Sequence, residues 1–227
     1  AVESLRANNK KVKIWHDQMA EASLAQSSQI VGATKVWASG LTGKGQYVVV
    51  LDSGVDSGHP FLKGKLVRQH EACFSRTECP NGKPFMLGPG AGGPSNSGGE
   101  TNDHGTHVSG IIAGKNKIFS GIAPGSKIIP VNVFYWNEGE KKYLTDDTEI
   151  NFGIEHAIEL KKSGLNIVAV NMSLGWPLFH NSPCQIGGLT QQHVKLALEL
   201  GIIVVAASGN FKDRVVPGEF KSGVSRP

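Results

Sequence analysis

Three side chains could do chemistry together: Asp52, His104 and Asn210. Asp52 closes the apolar run Tyr47-Val48-Val49-Val50-Leu51 and precedes Ser53-Gly54, which lets the chain turn sharply. A carboxylate at the carboxyl end of a buried strand stands where α/β folds place ligands. Taken alone it also reads as a helix or turn cap. A phosphoryl-transfer aspartate would want a second Asp two residues on, and Gly54 occupies that position. His104 lies in Asn102-Asp103-His104-Gly105-Thr106-His107, near the start of a helical pattern, and could reach from the sheet top into a cleft. An imidazole held by a carboxylate is two-thirds of a Ser-His-Asp triad. The His104-x-x-His107 spacing also invites zinc, but no acidic or cysteine ligand follows at helical spacing. His107 is expected instead to be a buried, hydrogen-bonded structural residue. Asn210 ends Ala206-Ala207-Ser208-Gly209-Asn210. Its amide could donate into the same cleft, or it could form a C-cap or an Asx turn.

These residues need a frame that brings them together. Four continuous apolar runs, 46–52, 127–134, 166–172 and 202–207, read as parallel strands covered on both faces. Helical patterns alternate with them. In 148–162, Ile150, Ile154, Ala157 and Ile158 share one face, with acids at the start and Lys161, Lys162 and Gly164 at the end. In 190–200, Val194, Leu196, Ala197 and Leu200 face inward before Gly201. The segment 104–114 can also form a helix, with His104 near its start. Strand–helix–strand alternation predicts an α/β fold: a doubly wound, mainly parallel sheet with helices on both faces. Residues 1–28 read as an extended lead-in.

Taken together, Val50-Leu51-Asp52-Ser53-Gly54-Val55-Asp56, His104-Gly105-Thr106-His107-Val108-Ser109-Gly110, Gly121-Ile122-Ala123-Pro124, Asn171-Met172-Ser173-Leu174-Gly175 and Ala207-Ser208-Gly209-Asn210 resemble the subtilisin-like serine peptidases, from about Leu24 to about Asn210. The resemblance implies that His104 is the general base and that Asp52 fixes its tautomer and stabilises the imidazolium. It implies that Asn210 donates to the oxyanion. Ser173, Leu174 and Gly175 would pair with an extended substrate backbone. Ala207, Ser208 and Gly209 would line the pocket for the residue before the scissile bond, with a large apolar side chain as the default guest. Trp176 departs from the family's usual small residue there and would narrow the pocket. The short stretch from Gly110 to Gly121 lacks the insertion that often carries calcium, so calcium is possible but not supported by this loop, and no cofactor is expected for the chemistry.

The family's triad order is Asp, His, Ser. By resemblance the serine belongs roughly 60–70 residues beyond Asn210, yet 17 residues follow it and no Gly-Thr-Ser occurs in the chain. Ser222 and Ser225 come too early. The ending at Pro227 reads as a cut inside a peptidase domain incomplete at its C-terminus. One piece of a split protease and a serine-less peptide-binding pseudoprotease are the alternatives. Residues 1–23 read as the tail of a pro-segment, with a maturation cut near Ala20–Ala25, and 24–227 as the peptidase domain.

At 227 residues, 39% hydrophobic and 19% charged, the chain can bury a substantial core, which excludes wholesale disorder. The net charge of +4 comes from scattered Lys and Arg without interleaved aromatics, which argues against nucleic acid. No run of 18 apolar residues occurs, so a membrane span is not expected. The expected partners are a peptide or protein substrate and the chain's own pro-segment, with the domain monomeric. Cys73 and Cys79 are close enough in sequence for a small disulfide ring, which suits an oxidising compartment and secretion. Cys184 would be free or paired with sequence not present. The glycine-rich stretch Gly88 to Gly99 reads as a flexible surface insertion.

Overall fold

A computed structural model describes residues 23–76, 79–95, 102–175, 179–180, 188–208 and 224–225. In chain order the elements are α1 (Ser23–Ile30), α2 (Ala33–Ala38), β1 (Tyr47–Asp52), β2 (Ala72–Phe74), β3 (Phe85–Leu87), α3 (His104–Ala113), β4 (Lys127–Asn132), β5 (Tyr135–Asn137), β6 (Lys142–Leu144), α4 (Asp147–Lys162), β7 (Ile167–Met172), β8 (Phe179–His180), α5 (Leu189–Glu199), β9 (Ile203–Ala206) and β10 (Val224–Ser225).

The main sheet has six strands in the order β3-β2-β4-β1-β7-β9. All its pairings are parallel except β2 with β3. Strand β1 lies between β4 and β7, and its last residue, Asp52, is in register with Asn132. Successive side chains of a strand point to opposite faces, so the unbroken run in β1 serves two cores. Val49 and Leu51 pack with Ile129, Val131, Ile150, Ile154 and Ile158 on the α4 side. Val48 and Val50 pack with Ile128, Val108 and Ala113 on the α3 side. The predicted doubly wound, mainly parallel α/β fold is present.

Several expectations need correction. Residues 23–28 belong to helix α1 rather than to an extended lead-in. The run 127–134 leaves the sheet at Asn132, whose Oδ1 accepts the Phe134 backbone N–H at 3.0 Å and turns the chain out. His107 is exposed, because it sits on the outer side of α3 while Val108 and Ser109 face inward. The described part of the glycine-rich stretch is packed rather than a flexible surface insertion. Ala91 is fully buried against Cys73 and Cys79, which form the expected disulfide. The strands of the hairpins β2–β3 and β5–β6 are three residues each, too short to show a strand pattern in the sequence.

Candidate active site

The site begins with the end of β1. Asp52 is completely buried. Its Oδ1 accepts the backbone N–H of Ser53 at 2.7 Å and the Nδ1–H of His104 at 2.8 Å. Its Oδ2 is buried with no hydrogen-bond donor among the described residues. The turn that follows requires Gly54, at φ +89°, where an added Cβ would lie 2.1 Å from the Gly93 carbonyl oxygen.

His104 is the first residue of α3. Short bonds tie this helix start to the Asp52 turn. The His104 N–H donates to Asn102 Oδ1 at 3.2 Å, the Ser53 hydroxyl donates to the Asn102 carbonyl at 3.2 Å, and the Gly105 N–H donates to Ser53 Oγ at 3.2 Å. The Asp56 N–H donates to Thr106 Oγ1 at 2.9 Å. Gly105 permits the approach: a Cβ there would stand 2.3 Å from the Gly54 carbonyl oxygen and 3.1 Å from Asp52 Cβ.

The His104 side chain is 52% exposed while that of Asp52 is 1% exposed. One ring nitrogen is therefore anchored in the protein and the rest of the ring faces the surface. The hydrogen bond to Asp52 raises the imidazole pKa above its ordinary 6.5; partial burial opposes this, and the Asp52 charge adds to it. With Nδ1–H given to Asp52, Nε2 keeps a lone pair able to take a proton.

The other predicted site residues that the structure describes lie at the same end of the sheet. Ser173, Leu174 and Gly175 follow β7, the neighbour of β1, outside any strand. The Ser173 hydroxyl oxygen accepts Asn171 Nδ2–H at 3.0 Å, Leu174 is buried, and Gly175 is exposed. Ala207 and Ser208 follow β9, the next strand over, and are exposed; the Ala207 N–H donates to the Met172 carbonyl at 3.1 Å. Three adjacent parallel strands thus bring their carboxyl ends, and these residues, to one edge. Trp176, Cys184, Gly209 and Asn210 lie outside the described residues.

Beyond the turn that Ser53-Gly54 makes, Ser53, Asn102 and Thr106 link the strand end to the helix start, a role their motifs do not announce. Their signal was adjacency: small hydroxyl and amide side chains beside Asp52 and His104, where such groups cap turns and helices. Among the described residues no group of three or more His, Cys, Asp or Glu side chains is arranged to hold a metal.

A buried carboxylate bonded to a half-exposed imidazole, at the carboxyl end of a central strand of a parallel sheet, has the geometry that an oriented base requires. A model of the subtilase family matches residues 43–225, and the chain belongs to that family. Relatives include the major intracellular serine protease of Bacillus subtilis, 30% identical over 84% of this chain and 50% of its own length. Subtilisin of Bacillus pumilus is 32% identical over 79% of this chain and 53% of its own length. The minor extracellular protease Vpr of Bacillus subtilis is 30% identical over 89% and 22%. A solved structure described as "S41 Psychrophilic Protease" superposes with a TM-score of 0.53 at 26% identity, over 76% of this chain and 48% of that one. The chain spans about half or less of the length of these relatives.

Proposed function

We propose that the chain supplies the general base and its orienting acid to a serine endopeptidase, and that residues 1–227 by themselves do not hydrolyse peptides. The observation that carries the reading is the 2.8 Å bond from His104 Nδ1 to the buried Asp52, with the rest of the ring exposed. In this mechanism Nε2 takes the proton of a serine hydroxyl as that oxygen attacks the scissile carbonyl. It then returns the proton to the leaving amine, while Asp52 stabilises the imidazolium between the two steps. Asn210 donates to the oxyanion. Ser173–Gly175 offers backbone to an extended peptide, and Ala207–Gly209 lines the pocket beside it.

The nucleophile comes from outside these 227 residues. No Gly-Thr-Ser occurs in them, and the serine of this triad order follows the histidine and the Asn at a distance. The chemistry uses no cofactor. Calcium does not fit the loop after α3, because residues 114–121 contain Lys115 and Lys117 and no carboxylate, while the hard cation wants oxygen ligands, usually including carboxylates. The Cys73–Cys79 disulfide supports a secreted, oxidising setting. Relatives include both an extracellular and an intracellular protease. Residues 1–23 act as the end of a pro-segment, and the domain works as a monomer on peptide or protein substrates.

The test is a chromogenic peptide assay on the 227-residue protein and on a longer form carrying a downstream Gly-Thr-Ser, each with a serine-directed phosphonate. Turnover is expected only in the longer form and is expected to vanish in its H104A variant. Phosphonate-sensitive turnover by the 227 residues would show that the nucleophile lies within them. Full activity of the H104A form would remove His104 as the base.

A further inference from the structure

Under the Asp52 turn lies the segment 88–95, and a single buried carboxylate holds it from the far side. Glu71 directly precedes β2 and is 2% exposed. Its Oε2 accepts the Gly90 N–H at 2.6 Å, its Oε1 accepts Arg68 Nε–H at 3.1 Å, and its backbone carbonyl accepts the Gly88 N–H at 2.8 Å. Burying a carboxylate is costly unless its oxygens are satisfied. Here both are used, one of them on the backbone of this segment.

From Gly90 the contacts run straight to the site. The Gly92 carbonyl accepts the Val55 N–H at 2.8 Å. The Gly93 carbonyl accepts Asn132 Nδ2–H at 3.0 Å, and the same nitrogen reaches Ser95 Oγ at 3.0 Å. Asn132 is the register partner of Asp52 on one side and of Cys73 on the other. There is no slack in this stack: a Cβ on Gly92 would lie 2.6 Å from Pro130 Cβ. Close-packed interiors transmit displacement rather than absorb it. A shift of Gly90 therefore reaches Gly92 and Gly93, then residues 53–55, including the Ser53 N–H that holds Asp52 Oδ1.

We propose that Glu71 is a positioning residue for the Asp52–His104 pair, acting through the Gly90–Gly93 backbone on the turn that orients the Asp52 carboxylate. The proposal rests on the reading of His104 as the base held by Asp52. Small errors in such geometry are costly, since about 1 Å of misplacement can remove about 10²-fold in rate.

The test follows the His104 imidazole by NMR titration in the 227-residue protein, where no turnover is required. D52N sets the reference for a ring without its partner, and its His104 midpoint is expected below that of the wild type. An unchanged midpoint in D52N would overturn the Asp52–His104 reading itself and the present proposal with it. Given that reference, E71A is expected to lower the midpoint by at least half of the D52N difference and to speed hydrogen exchange at the Val55 amide. E71Q keeps an oxygen able to accept from Gly90 and is expected to restore most of the midpoint. A folded E71A protein with loosened Val55 but a wild-type His104 midpoint would show that Glu71 only stabilises the loop, and would overturn the proposal. Should E71A not fold, E71D, which shortens the reach by one methylene, takes its place with the same two outcomes.

Discussion

The half of the sheet built on β2, β4 and β1 and the half built on β7 and β9 start from similar apolar runs and end in different states. Every residue of β1 after Tyr47 is buried, between α3 on one face and α4 on the other. In β9, Ile203 is 62% exposed and Val205 50%. The Asp52–His104 pair belongs to the first half, where close glycine contacts and buried bonds hold it. The residues assigned to substrate belong to the second, where Gly175, Ala207 and Ser208 are exposed. Precision thus resides where both faces are covered, and the surface assigned to substrate lies where cover from the described residues runs out. A face this apolar is one that further chain or a partner would bury favourably.

Substitutions can break this contrast. The largest effect is expected at the base. In a serine-bearing form, H104A should lower kcat by about 10⁶, whereas S208A on the other half should change kcat/KM by less than about tenfold. The first figure is that of subtilisin, a member of the same family. Comparable losses from both would erase the distinction. For stability, L51A removes a fully buried side chain and should cost about 2–5 kcal/mol in urea unfolding. V205T, at a half-exposed position, should cost less than about 0.5 kcal/mol. A large loss from V205T would mean that β9 is covered in solution.

The disulfide supports the rigid half from below, since Cys73 and Cys79 pack on Ala91. Replacing both by alanine should lower stability by about 2 kcal/mol, the loop-closure value for so short a ring; thermal melts of oxidised and substituted protein measure it.

The smallest effect separates two histidines by pH. The His104 pKa is raised by Asp52. Its contribution to stability is therefore full below the unfolded value near 6.5 and is lost as pH rises through the folded midpoint. His156, whose Nε2–H donates to the His70 carbonyl at 3.0 Å, has its pKa lowered by burial. Its contribution is present above the unfolded value and is lost as pH falls through its own midpoint. The stability gap between wild type and D52N should thus narrow with rising pH, and that between wild type and H156F should widen. A gap that stays constant with pH would remove the histidine concerned from this account.

The strands were legible as unbroken apolar runs and the helices by their helical period: β1, β4, β7 and β9 were placed to within one or two residues at each end. The Asp52–His104 pair was legible because both residues stand in distinctive neighbourhoods. The hairpins escaped notice because three-residue strands have no measurable period, and they are made instead by contacts such as Tyr143 to the Ser95 carbonyl at 3.0 Å. The exposure of His107 escaped because a motif does not say which side of a helix a sheet will cover. Glu71 was invisible for a further reason: its partner is a backbone N–H nineteen positions away, and backbone groups leave no trace in residue identities.

The central place of β1 also has a consequence for how the protein is made. Its neighbours are paired from Lys127 and from Ile167 onward, so during synthesis the strand emerges about 80 residues before the first and about 120 before the second. At about 5–20 residues per second, Val48 to Leu51 spend several seconds outside the ribosome with both edges open. The stretch that later carries Asp52 is thus also an adhesive segment of the nascent chain, and the protein's yield in a cell depends on what shields it during that wait.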